Sequence, residues 1–179
     1  QGCVVVDRLT NYIAENPGDG TTNPNQRNDS DNDTTPPTST NVLLNGKPAT
    51  EENVLEVLAE IKEEYPQGTS WDSNNNYTSI VFGKGTECAA FAFMVSDRIF
   101  GALPKREVSD YLDIRPGDIL AVKNSAGQIT HWSVATSAVE SDGFFSTAGG
   151  NVGGKVMWNG WADANSTTAR WTVYTRYPE

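Results

Sequence analysis

Residues 88–104 read Cys88-Ala89-Ala90-Phe91-Ala92-Phe93-Met94-Val95-Ser96-Asp97-Arg98-Ile99-Phe100-Gly101-Ala102-Leu103-Pro104, and residues 115–122 read Arg115-Pro116-Gly117-Asp118-Ile119-Leu120-Ala121-Val122. With Phe91, Ala92, Val95 and Ile99 on one side, the first stretch reads as a buried helix. Gly85 or Thr86 would cap its start, Gly101 closes it, and Pro104 bars its continuation. The second stretch opens with a turn and changes the pattern to strands. These are expected at Ile119–Val122, Ile129–Ala138, Gly143–Thr147, Lys155–Trp158 and Trp171–Tyr177, with a hairpin turn at Asn124 to Gly127. Helices come first and antiparallel strands follow, so the fold class is α+β rather than βαβ.

Upstream of that helix the chain carries another. Thr50 is a good N-cap, and Glu51 and Glu52 suit the positive end of a helix. Val54, Leu55, Leu58 and Ile61 fall at helical spacing, and Pro66 and Gly68 stop the run. A polar loop follows from Thr69 to Tyr77, in which Trp71 and Tyr77 are either packing anchors or part of a cleft wall. Between Asn16 and Asn41 there is no aliphatic or aromatic residue, and such a segment cannot bury enough surface to offset its chain entropy. The expected organisation is therefore an N-terminal tail and linker over 1–41 and one domain over 42–179. Asp29, Asp31 and Asp33 alternate like the start of a calcium loop. Thr34 stands where the loop needs glycine and Thr40 where it needs glutamate, so the stretch reads as solvated linker. Val4, Val5 and Val6, with Leu9, Tyr12 and Ile13, could add a strand or a helical turn to the core.

The 179 residues suffice for one domain and a tail, and the formal net charge of −10 argues against nucleic acid and anionic membrane surfaces. No stretch approaches the roughly 18 apolar residues of a membrane span. One histidine and two cysteines, Cys3 and Cys88, do not make a zinc set, and neither metal nor cofactor is expected. A Cys3–Cys88 disulfide is formally possible, but Cys88 is expected to be a free thiol, because Cys3 is tethered by a long flexible segment and the surroundings of Cys88 suit a thiol. Gly2 before Cys3 supplies the small residue of a lipoprotein cleavage site, which makes a lipid anchor at Cys3 one reading. Gln1 and Gly2 count against it, because a lipidated chain would start at Cys3.

The residues that can carry chemistry are Cys88 and His131. A thiolate is the reactive form of cysteine, and a helix N-terminus or a neighbouring imidazole favours it. Cys88 lies at a helix start, and His131 near the start of a strand that could face it. Asn151, in Gly150-Asn151-Val152-Gly153-Gly154, follows the next strand and has an amide oxygen that could orient the imidazole. The competing reading gives Asn151 only a turn role.

In this order the parts resemble the CHAP and NlpC/P60 branch of the papain-like cysteine peptidases and amidases. The resemblance rests on Glu87-Cys88-Ala89-Ala90-Phe91, Arg115-Pro116-Gly117-Asp118-Ile119-Leu120, Thr130-His131-Trp132-Ser133-Val134 and Gly150-Asn151, and spans about residues 65–177. It implies a papain-like fold, with helices packed on an antiparallel sheet or half-barrel. It also implies a secreted or cell-surface bacterial hydrolase of amide bonds, usually in peptidoglycan. Cys88 would be the nucleophile, His131 the base and Asn151 the orienting residue. Members often carry glutamate two residues before that asparagine, where this chain has Gly149. A monomer is expected. Two rival functions remain: acyl transfer on the same thiol–imidazole pair, and a non-catalytic surface module binding through Trp71, Trp132, Trp158 and Trp161.

Overall fold

The computed structural model describes residues 41–179 and the two-residue strand β1 (Val5–Val6). The rest of the expected tail and linker, with the rejected calcium loop, lies outside the described residues.

Thr50 accepts a hydrogen bond from the Asn53 amide (3.4 Å) and starts α1 (Glu51–Glu64). Its buried stripe is Val54, Val57, Leu58 and Ile61. Leu55, expected in that stripe, is 44% exposed, because the 3–4 spacing from Val54 runs through Val57 and Leu58. Two strands that the sequence reading leaves as loop come next, β2 (Asn76–Ser79) and β3 (Gly83–Thr86). Helix α2 (Glu87–Phe100) follows and ends at Gly101, whose φ of 59° is open to glycine without a Cβ penalty. Nearly every residue of α2 is buried, as its all-round apolar sequence requires.

The remaining elements are β4 (Arg106–Glu107), a 3₁₀ turn at Tyr111–Asp113, β5 (Ile119–Lys123), β6 (Ile129–Ala135), β7 (Phe144–Gly149), β8 (Met157–Asp163) and β9 (Trp171–Thr175). They form a six-stranded sheet in the order β4-β9-β5-β6-β7-β8, beside a three-stranded sheet in the order β1-β3-β2. Every pairing is antiparallel, so the α+β class with antiparallel sheets holds.

Strand alternation divides the large sheet into two faces. Ile119, Ala121, Trp132, Val134 and Ala148 join α2 in one core, while Leu120, Ala135, Phe145 and Val173 join Val108 and Ile114 in a second. The turn before β5 is pinned where the sheet meets the end of α2. The Tyr177 hydroxyl donates to the Pro116 carbonyl (2.7 Å), and the Arg115 guanidinium sits 3.8 Å from the Tyr177 ring centroid.

Candidate active site

The start of α2 is held in a strained and crowded setting. Glu87 and Asn151 are the two non-glycine residues with positive φ among the described residues, both at 56°. They touch: the Asn151 side-chain amide donates to the Glu87 carboxylate at 3.2 Å. The Glu87 backbone is gripped on both sides, its N–H donating to the Asn75 carbonyl (3.0 Å) and its carbonyl accepting from the Trp71 indole (2.8 Å). Left-handed backbone at such residues costs on the order of 1 kcal/mol and persists where surroundings over-determine it. Trp71 is thus a packing anchor. It is buried, and its ring stands edge-on to Phe91 at 5.4 Å. Gly150 fits beside these rings because it has no side chain: a Cβ there would lie 2.5 Å from the Phe91 Cβ and 2.7 Å from the Trp71 Cδ1.

Cys88 lies in the first turn of α2 and is 3% exposed. It is disulfide-bonded, which corrects the expectation of a free thiol. The sequence holds one other cysteine, Cys3, outside the described residues. The reason is visible in β1, where Val5 pairs with Gly85 and Val6 with Lys84, three and four residues before Cys88. In the sequence the long polar stretch follows β1, so it does not stand between Cys3 and β1. Closing even a long loop adds cost only logarithmically with length.

His131 stands on β6 opposite Val122. Its neighbour Trp132 turns into the α2 core, so alternation sends the imidazole to the other face. There it lines a cleft of about 610 Å³ with Thr147, Gly149, Met157, Asn159 and Trp161. Cys88 is not part of that cleft. Burial pulls the imidazole below its usual pKa, which favours the neutral form that accepts a proton.

The third expected residue is also corrected. Asn151 makes no hydrogen bond to His131 among the described residues. Its amide nitrogen serves Glu87, and its left-handed φ matches the turn role. The position that faces the imidazole is Gly149, where a Cβ would lie 3.0 Å from His131 Nε2. The segment 149–151 therefore touches His131 at one end and Glu87, next to Cys88, at the other. The expected hydrogen bond between His131 and Asn151 is not formed among the described residues, and Cys88 lies outside the cleft that His131 lines. Glu87 is the positioning residue whose role sequence reasoning missed, while Trp71 takes the packing-anchor role that reading offered for it. A polar residue directly before a helix-start cysteine was the one available signal.

Of the four tryptophans considered as a binding surface, Trp71, Trp132 and Trp158 are buried, and Trp161 alone is open, at 72% exposure. Among the described residues no group of three His, Cys, Asp or Glu could hold a metal ion, and no helix is long and apolar enough to cross a membrane. No family model, curated protein or solved structure matches the chain.

Proposed function

We propose that the chain is a cysteine-dependent hydrolase that cleaves an amide or peptide bond through an acyl-enzyme, on a papain-like fold. Peptidoglycan is the proposed substrate and the outside of a bacterial cell the proposed location. The observation that carries this reading is the segment 149–151, which links the surroundings of His131 to the helix start bearing Cys88. A thiol at a helix N-terminus is favoured as thiolate. The neutral imidazole of His131 is in the state a general base needs. In the reaction the Cys88 sulfur attacks the carbonyl carbon, and His131 takes the thiol proton and passes it to the leaving amine. Water then releases the acyl group. The test uses the reduced chain with purified peptidoglycan and mass spectrometry of the soluble products. Wild type should release new amine ends, while Cys88→Ala and His131→Ala should lose at least a hundredfold in rate. Full activity in Cys88→Ala would sink the proposal.

A second reading is favoured by one observation: the cleft holding His131 and the exposed Trp161 does not include Cys88. A non-catalytic module could bind a flat apolar or sugar surface there. Binding to insoluble peptidoglycan that survives Cys88→Ala but is lost in Trp161→Ala, with no product formed, would favour it.

A further inference from the structure

Cys88 occupies the position a nucleophile needs, at the first turn of a helix, and yet its sulfur is committed to a disulfide. Cys3 is the sequence's other cysteine. The two-residue strand β1 lies antiparallel on β3, in register Val5 to Gly85 and Val6 to Lys84, on the edge opposite β2. Gly85 stands three residues before Cys88, and Cys3 two residues before Val5. Two residues of pairing are too few to hold a strand against chain entropy without other support. The cross-link supplies that support, and its other end is the residue on which the hydrolase reading depends.

We infer that a Cys3–Cys88 disulfide, with β1 as its strap, keeps this chain latent, and that a dithiol reductant unmasks the Cys88 thiol. The inference rests on the hydrolase reading given above. The chemistry balances as ordinary thiol–disulfide exchange. One thiolate of the dithiol attacks the Cys3 sulfur, forming a new S–S bond. The old S–S bond breaks, and its electron pair leaves on Cys88 as thiolate. The second thiol of the dithiol then attacks the mixed disulfide and displaces Cys3 as thiolate, which takes up a proton. The dithiol loses two electrons and two protons and becomes a disulfide, and the protein gains two reduced cysteines.

The direction of attack follows from burial and position. Cys88 is 3% exposed, so its sulfur is shielded from the incoming thiolate. A thiol at a helix N-terminus is also the better leaving group. Once the bond opens, β1 has only its two-residue ladder to hold it on the β3 edge, next to the strand that leads into α2. A sulfur in a disulfide cannot carry a lipid thioether, so latency and a lipid anchor at Cys3 exclude each other.

The test uses the full chain, air-oxidised, with dithiothreitol as reductant and iodoacetamide as the thiol probe. In oxidised wild type, Cys88 should take up no label in the native state. After dithiothreitol it should label at least tenfold faster, and Cys3→Ser should label at that faster rate without reductant. Should Cys3→Ser fail to fold, the reduced wild type supplies the same comparison through hydrogen exchange, which should accelerate at whichever of the Lys84 and Gly85 amides faces β1 and not at the one that faces β2. Peptide mapping of the oxidised chain should return the two cysteine peptides cross-linked. Labelling of oxidised Cys88 at the reduced rate would overturn latency whatever the activity. A labelling switch with no amide cleavage in any form would instead overturn the hydrolase reading and leave the disulfide a staple.

Discussion

The two ends of α2 are both tied down, by opposite means. At the far end Asp97 and Arg176 form a buried ion pair (2.7 Å) in which every charge has further partners. Arg176 also donates to Ser96 (3.1 Å), the Leu103 carbonyl (2.8 Å) and the Gly101 carbonyl. Asp97 accepts from the Ser79 hydroxyl (3.0 Å) and the Ile80 amide (3.0 Å). At the near end a single 3.2 Å amide–carboxylate contact joins two left-handed residues, beside a disulfide. The far end is saturated and unstrained, as a structural clamp should be. The near end stores strain and chemistry in the same few residues, which is where a functional site is expected.

Removing the clamp should give the largest loss. Arg176→Met leaves Asp97 buried without its cation, and breaking a buried pair in this way costs about 3–5 kcal/mol. Urea unfolding should show the fall in midpoint, and Arg176→Lys should recover only part of it, since an ammonium cannot reach all these acceptors from one fork. A loss under about 1 kcal/mol would mean that this end of α2 is not a clamp.

The far end should also answer to pH. Asp118, next in the chain to the Gly117 that packs against Phe100, is fully buried, and burial pushes its carboxyl up to about 7. Its Oδ2 accepts from the Arg115 amide (2.9 Å). Its Oδ1 has no hydrogen-bond partner among the described residues, with the nearby Thr175 hydroxyl short of a well-aligned bond. The folded-state pKa lies above the unfolded value of about 4, so the folded chain holds this proton more tightly. The associated stability is fully present below about pH 4 and is lost as pH rises through 7, a change on the order of 4 kcal/mol. His131, whose pKa is lowered by burial, works in the other sense and loses stability as pH falls below about 6.5. The difference between wild type and Asp118→Asn, followed by urea midpoint from pH 5 to 8, isolates the aspartate. An unchanged difference across that range would show that Asp118 does not titrate there.

At the near end the matching perturbation is steric. Gly150→Ala would drive a methyl into Phe91 and Trp71, and overpacking of this kind costs about 1–3 kcal/mol. Hydrogen exchange at the Trp71 indole should rise with it, because that N–H is held by the Glu87 carbonyl. A neutral effect would show the near end to be looser than the contacts imply.

What the sequence made legible follows the same division. The helices could be read because caps and stops are local: Thr50 starts α1, Gly101 ends α2, and both do so in the structure. Strands β5, β6 and β9 start where their apolar runs start. Strands β2 and β3 could not be read, because Asn76-Tyr77-Thr78-Ser79 and Gly83-Lys84-Gly85-Thr86 lack the alternation that marks a half-buried strand. Strand β8 runs Met157–Asp163 rather than Lys155–Trp158; Gly160 within it reads as a break, yet is needed there because a Cβ would lie 2.4 Å from the Thr147 hydroxyl. The ion pair of Asp97 and Arg176 joins residues 79 apart, and no local pattern announces it. At the site, the helix start under Cys88 and the strand under His131 were legible from local pattern. The disulfide, the facing of His131 and the Glu87 contact were not, because each depends on which face of a strand or which chain end meets the helix.

The smallest expected effect decides what Asn151 is for. Its φ of 56° is one that asparagine tolerates and alanine does not, so Asn151→Ala should lose about 1 kcal/mol from backbone strain, and somewhat more with the Glu87 contact gone. Asn151→Gly removes the same contact but relieves the strain, and should stay within about 0.5 kcal/mol of wild type. If Asn151 acts only through the turn, glycine should keep the rate of amide cleavage by the reduced chain and alanine should lower it only a fewfold. If the asparagine orients His131 in a form the oxidised structure does not contain, both variants should fall together by one to three powers of ten, since neither can accept the imidazole N–H. Folding and rate therefore separate the two roles: the glycine variant is well folded under both, and only the orienting role makes it slow. A well-folded, fully active Asn151→Gly would remove Asn151 from the chemistry and leave Gly149, 3.0 Å from the imidazole by its missing Cβ, as the position where any third group would have to stand.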